Sequence, residues 1–240
     1  IGAGIAGMET ARVAAARGHR VRIVERTDRV GGVAALAGPG TPLVEWLSSE
    51  LNDAGVVVQV CTEFTDASAG EVVVQCTGSQ PGVPTYEVAA GAVVLDVLEV
   101  YRGESLPDGP IALFDPIGGP IAIALAEQLG ERAILITQDQ IAGNELSRSG
   151  DLAPANVRLA QRGIRIERRS ILRSARAGEV EVQDRFSGER RTIACAALVD
   201  CGFRLPTEPV VAAIAQAGDC VAPRTIHEAV LEARRVAFAL

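Results

Sequence analysis

The sequence contains no lysine: all 23 basic residues are arginine. Chemistry that needs a lysine amine, such as a Schiff base or a P-loop lysine, is therefore excluded from this chain. The bias itself reads as codon usage in a GC-rich genome. Aromatic residues make up only 3% of the chain. A core must then come from Ala, Val, Leu and Ile, which suit stacked parallel strands and close-packed helices. The net charge is −7 and no basic stripe alternates with aromatics, so nucleic acid is not an expected partner. No apolar run reaches the ~20 residues that span a bilayer, and no signal-peptide pattern opens the chain. A cytoplasmic protein with no membrane partner is expected.

Cysteine is sparse and unpaired in pattern. Cys61, Cys76, Cys195, Cys201 and Cys220 form no C-x-x-C motif. An odd number at wide spacing argues against a disulfide framework and against a zinc or iron–sulfur site made by this chain alone. Free, buried thiols in a reducing compartment are expected, and no metal ligands. The two histidines, His19 and His227, have no neighbours that complete a triad or a metal set. Both read as structural, and the run Glu167-Arg168-Arg169 reads as a solvated face.

The 240 residues are 48% apolar, enough for one large domain or two small intertwined ones. Patterning predicts a helix over 6–17 closed by Gly18, a strand over 21–25 and a glycine-rich stretch over 31–40. An amphipathic helix follows over 43–54, with Leu43, Trp46, Leu47 and Leu51 on one face. Strands are expected over 56–61 and 71–76, then loops over 80–84 and 106–110. The alternation restarts with a strand over 111–115, a turn at Gly118-Gly119-Pro120, a helix over 121–129 and a strand over 133–137. A helix over 156–162, an extended 164–167, an antiparallel pair over 179–186 and 191–194, a strand over 197–200 and a helix over 226–240 complete the reading. Strands alternating with helices predict parallel sheets. The strand–glycine–helix pattern occurs twice. We therefore expect two Rossmann-like, three-layer α/β nucleotide-binding domains, with residues 108–197 inserted into a discontinuous domain of 1–107 and 198–240.

The opening Gly2-Ala3-Gly4-Ile5-Ala6-Gly7 carries the clearest chemistry. In a G-x-G-x-x-G turn the first glycine permits the tight bend and the second lets a pyrophosphate approach the backbone. The third lets the helix pack on the strand, with the amides of Ile5 and Ala6 at the helix start. The context supports the motif: a helix and a strand follow, and Glu25 stands where an acid accepts from a ribose 2′-hydroxyl. Arg26 comes next, then Gly31-Gly32-Val33, a second glycine pair able to approach the same pyrophosphate. Cys76-Thr77-Gly78 ends a buried strand. Gly218-Asp219 precedes Thr225-Ile226 and the terminal helix, whose positive end would face a bound ring system. The second turn, at Gly118 and Gly119, lacks the full glycine spacing, and Thr137-Gln138 follows where an acid would select NADH.

The Glu25-to-Gly31-Gly32 spacing, the Thr77-Gly78 turn and the late Gly218-Asp219 resemble the two-dinucleotide-binding flavoproteins. More specifically, three segments resemble the C-terminal nucleotide-binding half of the old-yellow-enzyme-fused reductases, the family of 2,4-dienoyl-CoA reductase and trimethylamine dehydrogenase. These are residues 2–12, Gly18-His19-Arg20-Val21 and residues 218–229. The resemblance implies FAD on the outer domain, with Asp219 on its ribityl chain, and NAD(P)H on the inserted one. It also implies an FMN barrel and a [4Fe–4S] site in a preceding part of the same polypeptide, which the opening inside a motif leads us to expect. The implied activity is electron entry from NAD(P)H to FAD, feeding reduction of an activated carbon–carbon double bond. Two alternatives stay open: a non-redox ADP-binding module, as in the trimethylamine-type branch, and a stand-alone FAD-dependent pyridine-nucleotide oxidoreductase. Hydride transfer needs positioning rather than an acid–base side chain, so no catalytic residue is expected here.

Overall fold

The computed structural model describes all 240 residues, Ile1–Leu240. They gather into two compact units, Ile1–Gln80 with Arg204–Leu240, and Pro81–Phe203.

The first unit opens with α1 (Ile5–Ala16), β1 (Arg22–Val24), α2 (Val33–Leu36), α3 (Thr41–Asp53), β2 (Val57–Gln59), β3 (Val73–Gln75) and β4 (Ser79–Pro81). The second contains β5 (Glu87–Val88), β6 (Val94–Asp96), α4 (Val97–Tyr101), β7 (Ile111–Asp115), α5 (Pro120–Leu129), β8 (Ala133–Thr137), α6 (Leu152–Gln161) and β9 (Arg165–Glu167). It continues through β10 (Ser170–Arg176), β11 (Glu179–Asp184), β12 (Arg190–Ala194) and β13 (Ala197–Asp200). The chain then returns to the first unit for β14 (Arg204–Pro206), β15 (Ala213–Gln216) and α7 (Ile226–Ala239).

In the first unit β1 pairs in parallel with β2, and β3 with β15. Residues 1–3 bridge the two pairs. The Gly2 amide donates to the Val24 carbonyl at 2.9 Å, the Cys76 amide to the Ile1 carbonyl at 2.7 Å, and the Ile1 ammonium to the Val74 carbonyl at 2.8 Å. Ala3 thus lies at the centre of the core, with Ile5, Met8 and Ala11 of α1, Ile23 of β1 and Val44, Leu47 and Leu51 of α3. Truncating a fully buried leucine such as Leu47 would cost about 2–5 kcal/mol. The stripe on α3 is Val44, Leu47, Leu51, an i, i+3, i+7 spacing narrower than the sequence suggests. Trp46 falls off it: the residue is 45% exposed, with its ring 5.3 Å from the Arg12 guanidinium carbon. The expectation that Trp46 is core is corrected accordingly.

The second unit holds a fully parallel sheet in the order β6-β13-β7-β8-β9 and a mixed sheet in the order β12-β11-β10-β5. Ala112 and Phe114 of β7, Ile134 and Ile136 of β8 and Leu198 of β13 pack against Leu172, Ala175, Val180, Val182 and Ile193 of the mixed sheet. That sheet therefore covers one face of the parallel one. α5 packs on β7, β8 and α6, so the unit has three layers.

Several expectations are revised by this topology. The expected limits at 107/108 and 197/198 cut through hydrogen-bonded sheets. β6 pairs with β13 and β13 with β7, while β5 pairs with β10. Residues 81–107 and 198–203 accordingly cluster with the inserted unit. β10 was not expected; alternating Arg and small residues mask a strand whose partners lie on both sides. A short helix, α2, breaks the stretch expected as glycine-rich loop. Glu167 is no solvated residue, because it pairs with Arg191 at 2.6 Å and Arg165 at 2.7 Å. The five thiols are free, but Cys61 is exposed while the other four are buried. Both histidines are exposed. No helix is long and apolar enough to cross a membrane.

Candidate functional site

The three glycines of the opening turn are held by three different constraints. Gly2 has a φ of +94°, and a Cβ there would lie 2.3 Å from the Cys76 carbonyl oxygen. A Cβ on Gly7 would lie 1.9 Å from the Gly2 carbonyl oxygen, so this glycine lets α1 pack directly on the turn. Gly4 differs: its backbone is extended (φ −71°, ψ 179°) and a Cβ there would meet no protein atom within 4 Å. Nothing inside the protein demands glycine at that position. Gly4 is also the N-cap of α1 and offers no side-chain acceptor to the first amides of the helix. The amides of a helix start, with the dipole behind them, attract an anion that supplies the missing acceptors.

The second glycine pair stands against the first. The Gly31 amide donates to the Ala3 carbonyl at 2.7 Å, and Gly4 and Gly31 form a parallel bridge. Gly31 is buried with φ +96°, its Cβ position blocked by Val44. Gly32 is exposed, and a Cβ there would come within 3.2 Å of the Gly4 Cα. Two backbones without side chains thus flank one space at the start of α1. Val33 begins α2 just beyond, half-buried, and Arg26 is exposed.

Glu25 closes this space. Its Oε2 accepts from the Ala3 amide at 2.8 Å, and its Oε1 from the Thr27 amide and hydroxyl at 2.7 and 2.8 Å. These bonds orient the carboxylate beside the turn. Each carboxylate oxygen accepts about two hydrogen bonds, so Oε2 retains capacity for a ribose hydroxyl. The set fits a phosphorylated ribonucleotide: an open glycine cradle, a helix start and an acid one strand away.

The closing segment reaches the same turn. Gly218 has φ +81°, and a Cβ there would lie 2.6 Å from the Ala6 Cβ in the first turn of α1. Ala6 packs with Cys76, Ala217 and Ala233. Asp219 Oδ2 accepts from the Ser79 hydroxyl at 3.4 Å and Oδ1 from the Arg224 amide at 3.4 Å. Burial pushes its carboxyl above the ordinary range, against those two hydrogen bonds. Thr225 caps α7 in a capping box with Glu228, and Ile226 is 39% exposed. Thr77 shares a 2.6 Å hydroxyl contact with Thr207, and the Gly78 carbonyl accepts from the Thr207 amide at 3.3 Å. Gly2, Gly4, Ile5, Ala6, Gly7, Glu25, Gly31, Gly32, Thr77, Gly78, Gly218 and Asp219 therefore all lie in the first unit.

Gly118 and Gly119 lie in the second unit, between β7 and α5, and Gly119 caps α5. Gly118 has φ +76°, and a Cβ there would meet the Asn144 amide nitrogen at 2.9 Å. Sequence reasoning missed the neighbour that distinguishes this turn. Asp115 Oδ1 accepts from the Gly118 amide at 2.8 Å and from the Ile117 amide at 3.2 Å. The D-x-x-G pattern was the available signal, since an Asp commonly bonds the amides two and three residues on. Gln75 was also missed. It is fully buried, its Nε2 donating to Thr77 and to the Glu208 carbonyl, its Oε1 accepting from the Val210 amide and Gln216. Burial raises the thiols of Cys76, Cys195, Cys201 and Cys220, Cys76 to about 12. None of these four is a nucleophile at neutral pH.

Comparison with known proteins supports the same elements. Residues 1–45 match the family model described as an NAD(P)-binding Rossmann-like domain. The chain is 34% identical over 149 residues to a metal reductase of Desulforamulus reducens, covering 56% of this chain and 22% of the relative. It is 30% identical over 155 residues to a probable N-methylproline demethylase of Rhizobium meliloti, covering 58% and 22% respectively. Among solved structures, histamine dehydrogenase from Rhizobium sp. 4-9 superposes with a TM-score of 0.86 at 22% identity, over 100% of this chain and 43% of that one. The thioredoxin reductase of T. acidophilum superposes with a TM-score of 0.71 at 15% identity, over 100% of this chain and 95% of that one. These likenesses show the fold. The chain spans about a fifth of the length of the curated relatives it matches.

Proposed function

We propose that this chain, which matches the FAD/NAD(P)-binding half of the old-yellow-enzyme-fused reductase and dehydrogenase family, is the electron-entry module of a larger flavoprotein oxidoreductase. Its first unit holds FAD. The observation that carries this reading is the open cradle between Gly4 and Gly32, flanked by Glu25 and joined through Ala6 to Gly218-Asp219. In this reading the pyrophosphate lies on the start of α1, Glu25 accepts from the adenosine ribose, and Asp219 accepts from the ribityl chain. The second unit receives NAD(P)H at the turn before α5. The bound pair supplies hydride transfer from nicotinamide to flavin; the chain's own residues position and exclude water. In this reading an FMN barrel and a [4Fe–4S] cluster in another part of the polypeptide would carry the electrons onward. Relatives named cinnamate reductase and multifunctional alkene reductase/demethylase support an activated double bond as the class of final acceptor. A cytoplasmic location agrees with free thiols.

A second reading is a non-redox module holding ADP. It is favoured by one observation, that Asp115 already satisfies the turn amides before α5 with its own carboxylate. Heat release of nucleotides from the full-length protein, followed by mass spectrometry, separates the two. FAD, bleached by NADH or NADPH in anaerobic stopped flow, is the expected result. ADP alone, or FMN without FAD, would sink the electron-entry reading.

A further inference from the structure

Asp115 ends β7 at the C-terminal edge of the parallel sheet, where open α/β sheets take their ligands. Its side chain is 1% exposed. Oδ1 accepts from the Ile117 and Gly118 amides, and the Gly119 amide also acts to lower the carboxyl, whereas Oδ2 is buried with no partner at hydrogen-bond geometry. The helix that starts five residues later, α5, is ten residues long and has no side-chain cap. One turn therefore combines a helix start, which attracts a phosphate, with a buried acid, which repels one.

The surroundings do not neutralise that acid. Beyond β8 lies Asp139, and beyond β13 lies Cys201, which itself feels Asp115, Asp200 and Asp96 at the ends of the adjacent strands. α5 carries no charged residue in its first turn. Tyr101 of α4 donates to the Ile121 carbonyl. Glu145, whose amide donates to the Gly118 carbonyl, pairs its side chain with Arg148 at 2.9 Å. The charged group that acts on Asp115 is thus the acid Asp139, and the one cation named in these surroundings, Arg148, is paired with Glu145.

We infer that a dinucleotide phosphate binds at the start of α5 only together with a proton from solvent, taken up by the Asp115 carboxylate. This rests on the second unit being the pyridine-nucleotide site. The geometry gives the proton a place, because Oδ2 is the oxygen left unbonded. Burial brings the Asp115 carboxyl to about 7 in the free protein, with the turn amides opposing the rise. A phosphate nearby raises it further, since like charges disfavour each other's ionisation. Above pH about 7 each unit of pH then weakens binding by up to about tenfold.

The test is calorimetric titration of full-length, oxidised protein with NAD⁺ and with NADP⁺ between pH 6 and about 8.5, in two buffers of different ionisation heat. NAD⁺ has no group titrating in this range. We expect uptake approaching one proton per nucleotide at the upper end, and affinity falling toward tenfold per unit. In Asp115→Asn, which keeps an acceptor for the turn amides, affinity should be flat with pH and proton uptake absent. Wild-type binding that is independent of pH and of buffer overturns the inference while leaving the pyridine-nucleotide reading intact. That comparison stands even if the variant fails to fold. Absence of binding to both proteins at every pH overturns the inference and the reading beneath it.

Discussion

Glu9 of α1 accepts from Arg234 of α7 at 2.6 Å and from Arg12 at 2.8 and 3.0 Å, with its own side chain 1% exposed. The opening and closing helices of the chain are therefore joined by a buried carboxylate. Burial alone would raise Glu9, but hydrogen bonds from Arg12 and then Arg234 outweigh it and hold the carboxyl below 4.5. A depressed carboxyl contributes stability that is complete above its unfolded value and is lost as pH falls through its folded value. Glu9→Gln should lower stability at neutral pH by about 1–3 kcal/mol. It should also flatten the acid limb of the stability–pH curve below about pH 4.5 relative to wild type. Chemical denaturation at several pH values measures both; an unchanged acid limb would remove Glu9 from the account.

Gly4 and Gly7 separate ligand from protein. Gly4→Ala places a methyl where no protein atom lies within 4 Å, and the backbone is already extended. Melting temperature of the nucleotide-free protein should stay within error, while FAD retention through gel filtration falls sharply. Gly7→Ala sets its methyl 1.9 Å from the Gly2 carbonyl, so stability should drop by about 1–3 kcal/mol as well. Equal destabilisation by both variants would contradict the assignment of Gly4 to the ligand.

Cys61 is exposed and the other four thiols are buried. Ellman's reagent should titrate one thiol rapidly in native protein comprising this chain, and all five in denaturant. The slow four should react at the rate of local or global opening. Rapid labelling of Cys220 or Cys76 would mean that the closing segment is not seated on β3.

Gln75 uses both ends of its amide to hold residues 208–216 on β3. Gln75→Leu matches its volume but leaves the Val210 amide and the Glu208 carbonyl without their partner. A loss of about 1–3 kcal/mol is expected, together with new proteolytic cleavage within 207–216. Cleavage as slow as in wild type would show that β15 alone retains the segment.

Much of the first site was legible because its determinants are local. Gly2, Gly4 and Gly7 sit within six residues, and the acid at Glu25 follows after one helix and one strand. Patterns of glycine and of apolar period survive in sequence at that range. The meeting of Gly218 with Ala6 could be expected only by resemblance, since 212 residues separate them. The seams between the units were misplaced for the same reason: β6 and β5 are two or three residues long and gain their identity from β13 and β10, roughly a hundred residues later. Asp115 shows the division most plainly. Its bonds to the turn follow from a D-x-x-G pattern in the chain itself. Its burial, its unbonded oxygen and the nearby acid Asp139 beyond β8 exist only once the parallel sheet brings those strand ends side by side. Where a backbone can bend and approach a phosphate is written in local glycine spacing, whereas the charge that phosphate meets is set by folding, because charge depends on neighbours in space.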